Sequence, residues 1–460
     1  MAGAAERRAR LRRSARLARL AVRRGAAFAV HRARRLTADE RRRAELDDRF
    51  ALRTAEEVAA ELGQMKGVLM KAGQLLGAIA EALPQPAQEA LATLQSDAPP
   101  MAPSLAESVV RAELGADPLA LFRRWDPVPV AAASIGQVHR AELFDGRAVA
   151  VKVQYPGVAD TFHGDLANAE LLYALFSRFA LPGLDPRALV DELRVRMADE
   201  LDYRVEAANQ REFASFYDGH PFIRIPAVVP ELSTGRVLTS EWVDGLAWPA
   251  FAAGASPAAR QRAGEIVFRF SQGSVHRFGC FNGDPHPGNY RFDPDGRVTF
   301  LDFGLVKRWV PGEWERLLPC MDAIVIRRDP NELVAAMERV GFLRPGHGLD
   351  PADVYGYVSS PYVPYLTETF TFTRAFVAEA LGRVLDVRGP YQHVVRQLDM
   401  PPSFVMLDRL VWGVSALLGR LETTGPWHGI VLEYRGLGPP VTPLGEADAQ
   451  WWARRSTAGR

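Results

Sequence analysis

The sequence contains few cysteines and no long apolar run, and each absence excludes a class of protein. Cys280 and Cys320 are the two cysteines among 460 residues, too few for a disulfide framework and without the spacing of metal ligands. Both are expected to pack in the interior of a protein in a reducing compartment. No stretch reaches eighteen consecutive apolar residues, so no membrane-spanning helix is expected. Arg23 and Arg24 interrupt the N-terminal apolar residues, so no secretory signal peptide is expected either.

Net charge is nearly absent, but the charges are unevenly distributed. The whole chain carries +1 at pH 7. Residues 1–43 contain fifteen arginines, no lysine and three acidic residues, which gives this segment +12 and leaves the rest of the chain at −11. A basic arm on an acidic body favours an anionic partner, either lipid headgroups or nucleic acid.

The basic arm, taken as residues 1–45, allows three interpretations. Leu11, Leu17, Leu20 and Phe28 form an imperfect apolar stripe in an arginine-rich helical pattern. Such a segment lies on a bilayer surface, binds nucleic acid, or is a solvated disordered tail. We expect an anionic membrane surface as its partner and no nucleic acid, which predicts a cytoplasmic protein that associates peripherally with membranes.

The apolar pattern changes from helical to strand-like and back along the chain. Residues 54–83 have apolar side chains at three- and four-residue steps, which predicts a helix. Two β-rich runs at 128–139 and 148–153, with a turn at 144–146 between them, predict an antiparallel hairpin. Asp185-Pro186 is typical of a helix start and predicts one long helix to about Phe216. A further helix is predicted over 257–278, and the chain beyond Lys307 is expected to be mainly helical to about Leu421.

Two short runs carry the clearest chemical signal: D-P-H-P-G-N at residues 284–289 and L-D-F-G at residues 301–304. They supply two carboxylates and an amide oxygen, which are ligands that suit magnesium bound to a nucleotide. Asp302 would hold the metal across the β- and γ-phosphates, Asn289 would reach a second metal position, and Asp284 would face the attacking nucleophile. The alternative is that both runs are ordinary turns.

Together with four further motifs, these runs resemble the ABC1/UbiB/AarF family of atypical kinases. The motifs that carry the resemblance are K-A-G-Q at 71–74, A-A-A-S-I-G-Q-V at 131–138, V-A-V-K at 149–152, E-L-D-Y at 200–203, D-P-H-P-G-N at 284–289 and D-F-G at 302–304. The resemblance covers residues 55–320. It implies ATP and Mg²⁺ as cofactors, and an α+β, two-lobed protein-kinase-like fold with a helical N-terminal extension and a mainly helical C-terminal lobe.

The resemblance also divides the chain. The expected parts are the arm at 1–45, a helical extension with the Lys-x-Gly-Gln motif at 46–105, an N-terminal lobe at 106–245, a C-terminal lobe at 246–430 and a C-terminal tail at 431–460. The tail carries no chemistry that its residues reveal.

Lys152 follows a run of apolar β-formers, so its ammonium would emerge at the inner face of a strand, where it could neutralise the α- and β-phosphates. A half-buried lysine needs a carboxylate to stay charged. Asp202 and Glu206 are four residues apart and would share a helix face; by analogy with the kinase αC helix, Glu206 is the expected partner of Lys152. Glu200 and Asp202 match the E-x-D motif of the family. A solvated acidic face is the alternative.

The remaining site residues are implied by the resemblance. A loop that covers the phosphates would comprise Ala131, Ala132, Ala133, Ser134, Ile135, Gly136, Gln137 and Val138. Lys71 and Gln74 share a helix face, and that helix would lie over the cleft and bring both side chains near Asp202 and Glu200. They would be catalytic together with Lys152 and Asp284. Without the resemblance, a core helix whose lysine extends to water is the simpler interpretation.

Three departures separate the chain from ordinary protein kinases. No H-R-D precedes Asp284, and no A-P-E follows the D-F-G run. In the phosphate-covering loop three alanines leave only Gly136, and alanine does not readily adopt the positive φ that glycine allows, which predicts a stiffer loop. The leading hypothesis is therefore a magnesium-dependent ATPase or atypical kinase of a small or lipid-like molecule, acting at a membrane surface. The resemblance implies a role in isoprenoid quinone or related lipid metabolism, with a lipid or isoprenoid as possible ligand. A non-catalytic nucleotide-binding scaffold and a conventional protein kinase are the alternatives.

Overall fold

The computed structural model describes residues 101–133, 135–158, 200–385, 389–399 and 402–458. Apart from residues 157 and 158, these belong to one compact unit. The predictions for the basic arm, for the helical extension with Lys71 and Gln74, and for Ser134 lie outside the described residues. Within the described residues, no helix combines the length and the apolar character needed to cross a bilayer.

The strands of the described residues form one larger sheet and three small ones. In chain order they are β1 (Arg124–Trp125), β2 (Ala131–Ala133), β3 (Gly136–Glu142), β4 (Ala148–Gln154), β5 (Ile223–Arg224), β6 (Val237–Glu241), β7 (Cys280–Asn282), β8 (Tyr290–Phe292), β9 (Val298–Phe300), β10 (Val306–Arg308), β11 (Phe370–Thr371) and β12 (Thr424–Gly425). The larger sheet is antiparallel, with the order β1-β3-β4-β6 and with β2 also paired to β3. The small sheets are β5-β9-β8, β10-β7 and β11-β12.

The helices dominate the C-terminal half. In chain order they are α1 (Pro103–Leu114), α2 (Pro118–Leu121), α3 (Tyr203–Phe216), α4 (Trp248–Gly254), α5 (Pro257–Arg277), α6 (Glu313–Asp322), α7 (Pro330–Val340), α8 (Pro351–Val358), α9 (Arg374–Leu385), α10 (Gln392–Val395), α11 (Pro402–Leu421), α12 (Trp427–Tyr434) and α13 (Pro443–Ala458). A π-helical turn at Ala323–Arg327 follows α6 directly. The α+β class predicted from the sequence is therefore observed.

Several helices begin where local sequence chemistry places them. Ser256 caps α5, since its hydroxyl accepts from the Ala259 amide one turn later, and proline occupies the first helical position. Asp329 caps α7 in the same way, and that helix ends at Gly341 in the left-handed conformation. These caps satisfy amides that the helix itself leaves unpaired. The predicted helix at 257–278 and the predicted hairpin turn at 144–146 are confirmed.

Of the predicted helix from Asp185 to Phe216, residues 203–216 are helical as predicted, but the helix does not run through residues 201 and 202. Asp202 has an extended backbone, and its carboxylate accepts from the Arg204 amide, so it caps a separate helix, α3. An aspartate at this position favours a cap over a helix interior because its short side chain competes for backbone amides. Asp202 and Glu206 therefore do not share a helix face.

Helix α1 closes the core of the N-terminal lobe. Its buried residues Val109 and Val110 pack with Val149, Val151 and Val153 of β4. Each buried valine contributes roughly 2 kcal/mol relative to exposure. Because side chains alternate along β4, the inner valines leave Lys152 on the opposite face of the strand. The predicted domain boundary at 105/106 falls inside α1, so this helix belongs to the lobe.

Helix α5 is the centre of the C-terminal lobe. Its buried face includes Phe268, which packs edge-on against Trp427 of α12 at 4.9 Å between ring centroids. Phe270, on the same helix, stacks on Phe300 of β9 at 3.7 Å. The last helices are part of this lobe: Asp448 of α13 forms an ion pair with Arg277 of α5 at 2.9 Å. Residues 431–458 are thus packed helices, and the predicted boundary at 430/431 lies inside α12.

Candidate active site

Lys152 and Glu206 form the ion pair expected from the sequence. The Lys152 Nζ atom lies 2.8 Å from both Glu206 carboxylate oxygens. Only 16% of the lysine side chain and 7% of the glutamate side chain are exposed. The Tyr203 ring lies beneath the ammonium, 5.0 Å from Nζ to the centroid. Because burial keeps most water away from both charges, each charge depends on the other as its hydrogen-bond partner.

Asp302 completes a cluster of one cation and two carboxylates. Its Oδ2 atom is 3.4 Å from Lys152 Nζ, and its Oδ1 atom accepts from the Gly304 amide at 2.9 Å. Burial alone would lower the pKa of Lys152, but the Asp302 and Glu206 carboxylates raise it well above its usual range. Burial raises the pKa of Glu206 to about 7, with Lys152 opposing and Asp302 reinforcing the shift. Of the two carboxylates, Glu206 is enclosed at 7% exposure, whereas Asp302 is 32% exposed and can be reached by a further cation.

The β8–β9 hairpin and the β7–β10 strand pair that encloses it bring residues 284–289 next to Asp302. Strands β8 and β9 pair with Tyr290 opposite Phe300, and the Leu301 amide donates to the Asn289 carbonyl at 2.9 Å. Strands β7 and β10 pair with Asn282 opposite Val306. The Asn282 amide nitrogen also donates to the Asp302 carbonyl at 2.5 Å. Asp284 and Asp302 are therefore eighteen residues apart because the β8–β9 hairpin and the loops on either side of it lie between them.

Asp284 has both carboxylate oxygens engaged by protein donors. Its Oδ2 atom accepts from the Asn289 side-chain nitrogen at 2.9 Å, and its Oδ1 atom accepts from Arg409 Nη2 at 3.0 Å. Arg409 was not predicted. The adjacent charged residues Asp408 and Arg409 in the largely apolar α11 were the signal available, since neither residue type is usually buried without a partner.

The residues present fit a magnesium ion brought by a nucleotide. Asp302 and Asn289 offer a carboxylate and an amide oxygen, the hard donors that magnesium prefers. The Asp302 side chain is 32% exposed, so it stays accessible from the cleft. Among the described residues no group of three or more His, Cys, Asp or Glu forms an all-protein metal site. Phosphate and water oxygens would supply the other ligands.

The segment predicted to cover the phosphates is a hairpin. Ala131, Ala132 and Ala133 form β2, which pairs with Val138, Gln137 and Gly136 of β3. Ile135 is buried, and Val138 lies opposite Lys152 in the β3–β4 register. The three alanines thus have ordinary extended backbones.

Gly136 is required for close packing, and its φ is not positive. A Cβ atom at this position would lie 2.2 Å from the Val153 carbonyl oxygen and 2.9 Å from the Tyr203 hydroxyl. Gln137 points into the lobe, where its Oε1 accepts from the Met101 amide and its Nε2 contacts His139. A nucleotide would meet Gln137 through its backbone.

The E-x-D residues lie just before α3. Asp202 is 44% exposed and forms an ion pair with Arg204. Glu200 is half-buried, and its charge contributes to the raised pKa of Glu206. Lys71 and Gln74, which were expected beside them, lie outside the described residues. The segment after the D-F-G run is short: β10 ends at Arg308, and α6 begins at Glu313.

Comparison with known proteins identifies the family of this chain. The model of the ABC1 atypical kinase-like domain matches residues 93–337, more than half of the chain. Protein ACTIVITY OF BC1 COMPLEX KINASE 8, a chloroplastic protein of Arabidopsis thaliana, is 34% identical over 288 residues, which cover 60% of this chain and 37% of that protein. An uncharacterised chloroplastic aarF domain-containing protein kinase of the same plant is 30% identical over 402 residues, which cover 83% of this chain and 54% of that protein. The chain thus spans about half the length or less of these relatives.

A solved structure agrees over most of the chain. Rv3197 from Mycobacterium tuberculosis, determined in complex with erythromycin, is 32% identical with a TM-score of 0.64. The match covers 86% of this chain and 100% of that one. The kinase-like fold expected from the motifs is confirmed, and the chain belongs to the ABC1 atypical kinase-like family.

Proposed function

We propose that this protein binds ATP with magnesium in the cleft around Lys152 and Asp302. It then either hydrolyses the nucleotide or transfers the γ-phosphoryl group to a small or lipid-like acceptor. The observation that carries the proposal is the buried cluster in which Lys152 contacts Glu206 at 2.8 Å and Asp302 at 3.4 Å. The cluster is not sealed into the fold, because the Asp302 side chain is 32% exposed and can be reached from the cleft.

Each residue then has a definite task. Glu206 holds Lys152 through two donors, which leaves the third, now 3.4 Å from Asp302, as the one available to phosphate oxygens. Asp302 and Asn289 would hold magnesium, which neutralises the charge on the β- and γ-phosphates when bound. Asp284 is held by Arg409 and Asn289, and its remaining lone pairs can accept a hydrogen bond from the attacking hydroxyl or water.

The proposal extends to a membrane setting. The basic arm at residues 1–45 would attach the protein to anionic lipid, since each arginine near such a surface contributes about 1 kcal/mol. An acceptor or effector drawn from isoprenoid quinones or related lipids would be reached from that surface. The short segment between the D-F-G run and α6 supports an acceptor other than a docked peptide.

The test is phosphate release by the purified chain, with magnesium and anionic liposomes varied independently. Asp302→Asn should lower the magnesium-dependent rate at least ~100-fold, because the carboxylate that holds the metal becomes a neutral amide. Asp145→Asn, at an exposed hairpin turn, is the matched control and should behave as the unmodified chain.

Three outcomes would redirect the proposal. Nucleotide binding without metal-dependent turnover under any lipid condition would favour a non-catalytic scaffold. Phosphorylation of generic protein substrates by the unmodified chain would favour a protein kinase. Phosphate release that Asp302→Asn leaves unchanged would place the chemistry elsewhere.

A further inference from the structure

Arg409 is a cation on α11 that reaches the loop before β8. Its Nε atom donates to the Gly283 carbonyl at 2.8 Å, and its Nη2 atom donates to Asp284 Oδ1 at 3.0 Å. Only 12% of the Arg409 side chain and 17% of the Asp284 side chain are exposed. The guanidinium therefore holds both the backbone and the carboxylate of this loop, which a single ammonium could not do in this geometry.

The same carboxylate fixes the Asn289 side chain. Asn289 Nδ2 lies 2.9 Å from Asp284 Oδ2 and 3.4 Å from the Asp284 carbonyl oxygen. Both partners are acceptors only, so the amide nitrogen must face them. The amide oxygen of Asn289 is consequently turned away from Asp284 and remains available for a cation.

We propose that Arg409 is a positioning residue for the metal. Through Asp284 it orients the Asn289 amide so that its oxygen, and not its nitrogen, faces the magnesium site. Without Arg409, the Asp284 carboxylate is free to rotate, and the Asn289 amide loses the partner that selects one of its two orientations. This inference rests on the proposed function, because it assumes that metal-bound ATP occupies the cleft.

The test measures binding, apart from activity. ATP affinity is determined by calorimetry once with excess Mg²⁺ and once with EDTA, for the unmodified chain, Arg409→Ala and Arg409→Lys. Arg409→Ala should weaken binding of Mg-ATP about 10-fold, the usual scale for removing a partner of a metal ligand, and should change metal-free ATP binding less than about twofold. Arg409→Lys can reach one of the two acceptors, so its affinity for Mg-ATP should lie between those of the unmodified chain and Arg409→Ala. Arg383→Ala removes an exposed arginine paired with Glu379 and is the matched control.

A double-mutant cycle with Asn289→Ala separates positioning from general damage. If Arg409 acts through Asn289, removing Arg409 in the Asn289→Ala background should cause no further loss of Mg-ATP affinity. Additive losses would overturn the inference, as would an equal loss with and without metal. If Arg409→Ala does not fold, the cycle is run with Arg409→Lys. Failure of the proposed function itself looks different: the unmodified chain would then bind ATP no more tightly with magnesium than with EDTA.

Discussion

Two buried clusters in this protein contain the same charges, one cation and two carboxylates, but are completed in different ways. In the cleft, Lys152 faces Glu206 and Asp302. In the C-terminal lobe, Arg269 of α5 faces Glu265 on its own helix and Glu433 on α12. The difference between them lies in how far the fold encloses each one.

The Arg269 cluster is closed by the protein itself. Its guanidinium donates to Glu265 at 2.8 Å, to both oxygens of Glu433 at 2.7 and 3.2 Å, and to the Thr442 hydroxyl at 2.9 Å. Glu433 accepts in addition from the Val441 amide at 2.7 Å. The Lys152 ammonium has only three donors. Burial raises the pKa of Glu206 to about 7, with Asp302 reinforcing the shift. Arg269 has no exposed side-chain surface, whereas Asp302 beside Lys152 is 32% exposed, so the cleft is the cluster that a cation from outside can reach.

A second closed cluster ties the last helix to α3. Asp448 of α13 bonds to His220 at 3.1 Å and to Arg277 at 2.9 Å. Burial would raise the pKa of Asp448, but the His220 hydrogen bond and the Arg277 charge lower it to about 2. His220 lies just beyond the end of α3, the helix that carries Glu206, so α13 helps to fix the helix that positions the cleft.

The largest expected effect on stability is at Arg269. Arg269→Met keeps the side-chain length but leaves Glu265 and Glu433 as uncompensated buried charges, so it should lower the free energy of unfolding by about 3–5 kcal/mol. Urea unfolding followed by circular dichroism measures this. Arg383→Met, which removes an exposed pair, should change the same quantity by less than about 0.5 kcal/mol. A loss at Arg269 no larger than in this control would mean that the closed cluster does not stabilise the fold.

An intermediate effect is expected from His276 and depends on pH. Burial, with Arg435 and Arg277 adding to it, lowers the pKa of His276 to about 3. A histidine whose folded pKa lies below its unfolded value of about 6.5 contributes stability above pH 6.5 and loses it as the pH falls towards 3. Between pH 7 and pH 4 the loss should be about 3 kcal/mol.

His276→Gln should remove that part of the pH dependence. Unfolding free energies at pH 7 and pH 4 would be compared for the two chains, because His220 and Asp448 contribute acid sensitivity of the same sign to both. Equal losses in the two chains would show that His276 takes up its proton while the chain is folded. Burial and the nearby arginines would then not lower its pKa.

The smallest effect on stability is expected at Lys152, in contrast to Arg269. Lys152→Met should change the free energy of unfolding at pH 7 by about 1 kcal/mol or less, because Glu206 can take up a proton when its cation is removed. Phosphate release should nevertheless fall at least ~100-fold. A stability loss as large as that of Arg269→Met would remove the distinction between the two clusters.

Parts of the site were predictable because they depend on local chemistry or on spacing within one element. Lys152 follows a run of β-formers, and the structure pairs it with Glu206 as expected. The caps at Ser256 and Asp329 are readable from adjacent residues. The chain contains four lysines against 52 arginines, and one of those four lies at the centre of this cleft.

Other parts were not predictable because they depend on contacts between distant segments. The spacing argument for Asp202 and Glu206 failed because it holds only for two residues inside the same helix. Asp202 is the N-cap just before α3, and Glu206 lies within α3. Gly136 is needed where β4 and Tyr203 approach its backbone, and no local pattern shows this. Arg409 meets Asp284 across 125 residues of chain. No chemistry was predicted for the final thirty residues, yet Asp448 and Trp451 form hydrogen bonds with His220 and Asp218 just beyond the end of α3.

The sequence by itself determined which elements form, which residues begin and end many of them, and which side chains carry charge into the site. Tertiary structure alone decided which charges are enclosed. Lys152 and Arg269 each face two carboxylates. Arg269 is fully buried and also bonded to Thr442, whereas Asp302 beside Lys152 is 32% exposed. The physical reason is that the energy of a buried charge depends on every group within a few ångströms of it, and those groups come from segments far apart in the chain.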